Sequence, residues 1–113
     1  MIAGNTTALL QIRNGFTKNA IGEKIPDWED VQQITGWLDF MSGEAGRTTY
    51  NAMIEETTHV FISDYVRLDS RVKSSNSRMI INGERYEVRM IDDPMQMHKQ
   101  LEIFLKYTGG QNE

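Results

Sequence analysis

Residues 78–107, RMIINGERYEVRMIDDPMQMHKQLEIFLKY, alternate apolar and polar side chains with a period of two in three successive stretches, the pattern of consecutive β-strands. Asn82-Gly83 separates the first two stretches and suits a two-residue type I′ turn, which needs positive φ at both central positions. A hairpin in that register sets Ile81 opposite Glu84 and Met79 opposite Tyr86. Tyr86, Val88 and Met90 then share one face, with Glu87 and Arg89 on the other. Beyond the Asp92-Asp93-Pro94 break, Leu101, Ile103, Leu105 and Tyr107 share a face against Glu102, Phe104 and Lys106.

Upstream, residues 7–13 (TALLQIR) predict a first strand with Ala8, Leu10 and Ile12 on one face, interrupted by Leu9. Asn14-Gly15 starts a turn, and 17–27, with Gly22 and Pro26 among polar residues and no period, predicts an exposed loop. Residues 28–41 predict a long strand: Ile34, Leu38 and Phe40 on one face, Val31 and Trp37 on the other, with Gly36 marking a bulge or a bend at a barrel corner. Trp28 and Trp37 are expected to fill the core. From 42 to 56 the period is lost; Tyr50, Met53 and Ile54 at i, i+3 and i+4 allow a short amphipathic helix, and an irregular loop or arm is equally allowed. Strand character returns over 57–66, a polar connector follows over 68–77, and 109–113 is expected to be a disordered tail. The chain is therefore expected to be all-β: a single small antiparallel β-barrel of five to six strands with one long inter-strand loop or short helix.

A chain of 113 residues is enough for one such domain. Cysteine is absent, which removes disulfides and thiolate chemistry. No stretch is apolar enough to span a bilayer as a helix, and the first residues lack the basic start and apolar run of a signal peptide, so no membrane partner is expected. A formal net charge of −4 argues against a free-standing nucleic-acid binder, though an acidic surface can line a path through which DNA slides.

No residue is assigned to catalysis, a cofactor or a metal. The histidines, His59 and His98, have no second ligand at metal-site spacing; His59 reads as a polar strand position and His98 as a turn residue. Asp92-Asp93 ahead of a proline is turn chemistry, in which carboxylates accept from nearby backbone amides. Nucleophile elbows, Walker loops and dinucleotide fingerprints are missing from the sequence. Arg67, Arg71, Lys73 and Arg78 form a sparse basic surface around the connector, read first as a solvated loop and second as a surface for phosphate or an acidic partner. Met90, Met95 and Met97 read as gap-fillers in the core, with a soft protein-binding patch as the alternative.

With these residues in place, the chain resembles the head-tail adaptor or head-completion proteins of tailed bacteriophages, most closely the short members in PBSX-type defective prophages. The resemblance rests on the order and spacing of Gly36-Trp37-Leu38-Asp39 before Ser42-Gly43, Glu55-Glu56-Thr57-Thr58-His59, Ile81 to Val88, Asp92-Asp93-Pro94-Met95, and Leu101-Glu102-Ile103 with Leu105-Lys106-Tyr107. It covers roughly 28–107. It implies a small barrel whose copies form a ring, commonly twelvefold, beneath the portal and adaptor at the head-tail interface of a virion assembled in the bacterial cytoplasm; the acidic charge and modest size predict a monomer when the chain is isolated. Such a ring contacts tail proteins and passively contacts packaged double-stranded DNA. The resemblance also implies a loop reaching toward the central channel, whose counterpart by position is 42–56, with Glu44, Arg47, Thr48, Thr49, Tyr50, Asn51 and Met53 as candidate contact residues. The alternative from the residues themselves is a stand-alone small-barrel module that binds protein or oligonucleotide.

Overall fold

A computed structural model of the chain describes residues 4–40 and 57–111. The expectations placed on 42–56, as channel loop or packed helix, fall outside the described residues. Within them, six strands form a closed antiparallel barrel: β1 (Thr6–Lys18), β2 (Lys24–Phe40), β3 (His59–Asp64), β4 (Ser77–Ile81), β5 (Glu84–Asp92) and β6 (Gln100–Gln111), in the spatial order β1-β2-β3-β6-β5-β4. Pairing of β1 with β4 closes the sheet. The all-β barrel expected from the period-two pattern is the fold observed.

The β4–β5 hairpin has the register expected from its turn: Ile81 pairs with Glu84 and Met79 with Tyr86, while Asn82 and Gly83 take φ of 53° and 79°. Inward-facing Leu10, Phe61, Met79, Ile81, Ile103 and Leu105 fill the barrel, each no more than 1% exposed. Burying these branched and aromatic side chains, at roughly 1.5–3 kcal/mol each, is the main term holding the strands together.

Two bulges redirect side chains in ways the strict period does not anticipate. The β1–β2 register shifts at Leu10/Gln11, leaving Val31 as the extra residue of β2. On β5 the shift between Val88 and Met90 pairs Met90 with Phe104 and puts Ile91 opposite Ile103, so Ile91, not Met90, continues the inward row begun by Tyr86 and Val88. Trp28 is half-buried and Trp37 exposed, so neither tryptophan fills the core. Met95 and Met97 are exposed as well, in the turn that follows Asp93.

Residues 17–27 are not a loop. β1 and β2 continue past the barrel wall as a two-stranded ribbon in which Phe16 pairs with Pro26, Thr17 with Ile25 and Lys18 with Lys24. Its tip is organised by Asn19, whose side-chain oxygen accepts from the amides of Ile21 and Glu23 at 3.0 Å each, with Gly22 at φ 86°. The chain end departs from expectation too: β6 runs on through Gly109, paired with Arg85, to Gln111, paired with Glu84.

The connector of residues 65–76 joins two strands that are not neighbours, so it must cross an end of the barrel. It is more than solvated chain. Val66, Leu68 and Val72 pack against the core cluster and plug that end. Polar ties hold the plug: the Gln32 carboxamide accepts from the Asp69 amide at 2.8 Å and donates to the Arg67 carbonyl at 3.3 Å. Arg71 donates to Glu29 at 2.9 Å and to Asp69 at 3.0 Å, and the bonds from the Arg71 guanidinium and backbone amide to Asp69 lower that carboxyl's pKa to about 2. These are exposed pairs, worth little individually.

Candidate functional site

Alternation along β5 turns Tyr86 and Val88 into the barrel and leaves Arg85, Glu87 and Arg89 on its outer wall. The antiparallel pairing of β4 with β5 sets Arg78 directly opposite Glu87, and the pairing of β1 with β4 sets Gln11 beside Arg78. Trp28 pairs with Arg13 one strand further on. The result is a groove of about 570 Å³ on the outer surface of β4 and β5, lined by Arg13, Arg78, Arg85 and Arg89 together with Trp28, Glu87, and the hydroxyls of Ser74, Ser75 and Thr108.

Most of these groups are held by neighbours. The Arg78 guanidinium lies 4.1 Å from the centre of the Trp28 ring, a cation–π contact. Its Nε donates to the Gln11 carboxamide oxygen at 2.8 Å, and the Gln11 amide nitrogen donates to Asp30 at 2.7 Å. Arg85 donates to the Gly109 carbonyl at 3.3 Å, and Arg89 is ion-paired with Glu87. Burial first, and the nearby Arg85 charge second, hold the Arg78 guanidinium below the usual arginine range. Four guanidiniums and one carboxylate thus line one groove on a chain whose net charge is −4.

Of the basic residues singled out in sequence, only Arg78 belongs to this groove. Arg71 is engaged by Glu29 and Asp69, and Arg67 and Lys73 are exposed on the connector. The sequence pattern turns Glu87 and Arg89 outward but does not bring Arg13, Arg85 and Arg89 together with Arg78, because the groove joins strands far apart in the chain.

At the opposite end from the plug, His59 sits edge-on to Phe40 and Tyr86 with ring centroids 5.3 and 5.2 Å away, and Tyr107 lies 6.2 Å off. Its Nδ1 hydrogen-bonds the Thr58 hydroxyl at 2.8 Å. Burial lowers the His59 pKa. The folded state therefore takes up fewer protons there than the unfolded chain, so stability should fall as pH drops through the ordinary histidine range, about 6.5. Melting curves between pH 7.5 and 5.5 should show a decline in Tm that is smaller in His59→Phe; an equal decline in both would remove His59 as its source.

His98 lies in the turn expected of it, its amide donating at 3.0 Å to Asp93 and its ring bonded to the same carboxylate. Asp93 does serve the turn. Among the described residues no group of three or more His, Asp or Glu stands close enough to hold a metal ion, and no helix is long and apolar enough to cross a membrane. On the ribbon, Phe16, Ile21 and Ile25 are 58%, 79% and 46% exposed, an apolar load that no described element covers.

No family model matches the sequence, and no curated protein matches it either. Solved structures do share the fold. Protein SF1141 from Shigella flexneri 2a, determined in solution, matches with a TM-score of 0.65 at 16% identity over 93% of each chain. A chain of the virion of the native gene transfer agent particle matches with a TM-score of 0.60 at 12% identity, over 99% of this chain and 100% of that one.

Proposed function

We propose that the chain is a structural protein of a tailed-phage-like particle, a head-completion or head-tail connector subunit. The observation that carries this reading is the fold likeness to a chain of a virion, with a TM-score of 0.60 over 99% of this chain and 100% of that one. The sequence resemblance to phage adaptor proteins, drawn from different features, supports the same class. In this reading copies form a ring, a dodecamer, beneath the portal and adaptor. The purified acidic chain stays monomeric until that template is present, because like-charged subunits repel. The stretch 42–56, carrying Glu44, Arg47, Thr48, Thr49, Tyr50, Asn51 and Met53, falls in sequence between β2 and β3 and, in this reading, serves as the channel-facing arm.

The test is particle assembly with and without the chain. Particles produced in its presence should contain it in a fixed stoichiometry at one vertex, and those made without it should be filled heads that leak DNA or lack tails. Deleting 46–53 should reproduce the assembly defect while the purified variant melts within roughly 1 kcal/mol of the parent, since shortening a loop changes closure entropy slowly. Normal tailed particles formed without the chain would end the proposal.

A further inference from the structure

We propose that the outer groove over β4 and β5 binds the phosphodiester backbone of nucleic acid. Arginine is suited to this because its planar fork of donors matches phosphate oxygens, and serine and threonine hydroxyls commonly complete such contacts. Four arginines line the groove, with Ser74, Ser75 and Thr108 at its margin. The Trp28 ring holds the Arg78 guanidinium by its cation–π contact and so fixes one donor fork on the groove wall.

The layout of the charges selects among anions. Arg85 and Arg89 are four residues apart on one strand, about 13 Å at the usual rise, while Arg13 and Arg78 lie on two neighbouring strands. The positive groups therefore form a stripe and do not converge on a point, which fits a polyanion better than a single small anion. Charge density then separates two polyanions. Each strand of duplex DNA carries one charge per about 3.4 Å of axis, about four over the stripe. An extended acidic peptide, turning alternate side chains to the wall, offers about two carboxylates over the same length. Only the first can engage all four arginines. Glu87 sits within the stripe but is paired with Arg89, which leaves about three net positive charges.

This site is separate from the channel-facing arm of the particle reading, and its test uses the purified chain with naked DNA, so failure of one leaves the other standing. In a Trp37→Phe background Trp28 is the remaining tryptophan and reports on the groove. A twenty-base-pair duplex, a single strand of the same length and polyglutamate would be titrated at 50 and 200 mM salt. Duplex binding should change Trp28 emission and weaken about fortyfold across that range, from a slope of about −0.9 per phosphate and three net charges. A single-strand result of equal strength would assign the same chemistry to single-stranded targets. Arg13→Gln with Arg85→Gln should make the slope shallower by about two. Should the double variant melt early, Arg13→Gln alone, at an exposed position, should shift it by about one. Three results would overturn the proposal: no DNA binding at 50 mM salt, binding that leaves both Trp28 emission and the variants' slopes unchanged, or polyglutamate binding more tightly than either nucleic acid.

Discussion

Gly36→Ala is expected to cost about 3 kcal/mol or more, at or beyond the upper end of overpacking effects, and to do so with one added methyl group. Gly36 is where β2 changes partner: it pairs with Thr6 of β1, and the next residue, Trp37, pairs with Ile62 of β3. A Cβ at position 36 would lie 2.3 Å from the Ile62 carbonyl oxygen and 3.0 Å from the Ser63 Cβ. The first obstacle is backbone, so no rotamer change relieves it, and β2 must draw away from β3 along the pairing that runs to Phe40. Gly4 crowds the same point from the other side, where a Cβ would come within 2.4 Å of the Gly36 nitrogen. Urea unfolding of the parent and variant gives the comparison. A midpoint shift worth less than about 1 kcal/mol would mean that the strands can separate there at little cost.

The second large effect is expected at Phe61. It is fully buried in the middle of β3, pairs with Leu38 on one side and Ile103 on the other, and belongs to the core cluster. Phe61→Ala removes an aromatic ring from a closed barrel whose walls are fixed by six strand pairings and cannot collapse freely into the space. The expected loss is about 3–5 kcal/mol, a large share of the 5–15 kcal/mol typical of a whole domain. Thermal melts should drop by more than about 10 °C. The full drop, with new binding of an apolar probe, would show the cavity standing open; a small drop without such binding would show that the wall repacks.

These two positions also show how far the chain can be read without coordinates. Phe61 and its neighbours follow the period-two pattern because one face of their strand is buried, and the Asn82-Gly83 turn is legible because its chemistry is local. The ribbon looks like a loop in sequence because neither of its faces is buried. Pairing there is held by backbone bonds and by Asn19, and neither imposes a hydrophobic period. Bulk predicts both tryptophans inside, yet Trp28 sits on the outer wall beside Arg13 and Arg78. Met90 was misplaced because a bulge reverses facing and leaves no local mark in composition. The plug residues Val66, Leu68 and Val72 follow no period, since an irregular segment crossing a barrel end meets the core at irregular intervals. The arginine groove needed the order of the strands: Arg13 and Arg85 meet only because β1 and β5 flank the same short β4.

Closing a barrel hides strand edges, but the β1–β2 ribbon reaches past the closure. β4 accompanies β1 only as far as Ile12, so from there to the tip both outer margins of the ribbon carry amides and carbonyls with no strand alongside. Such margins are templates on which another chain can continue a sheet. The paired Lys18 and Lys24 near the tip put two positive charges side by side, which opposes stacking of one ribbon tip on another. The ribbon is thus biased toward a different surface and away from its own likeness. Neutralising both lysines should make self-association through this ribbon the first new behaviour of the protein, before any change inside the barrel.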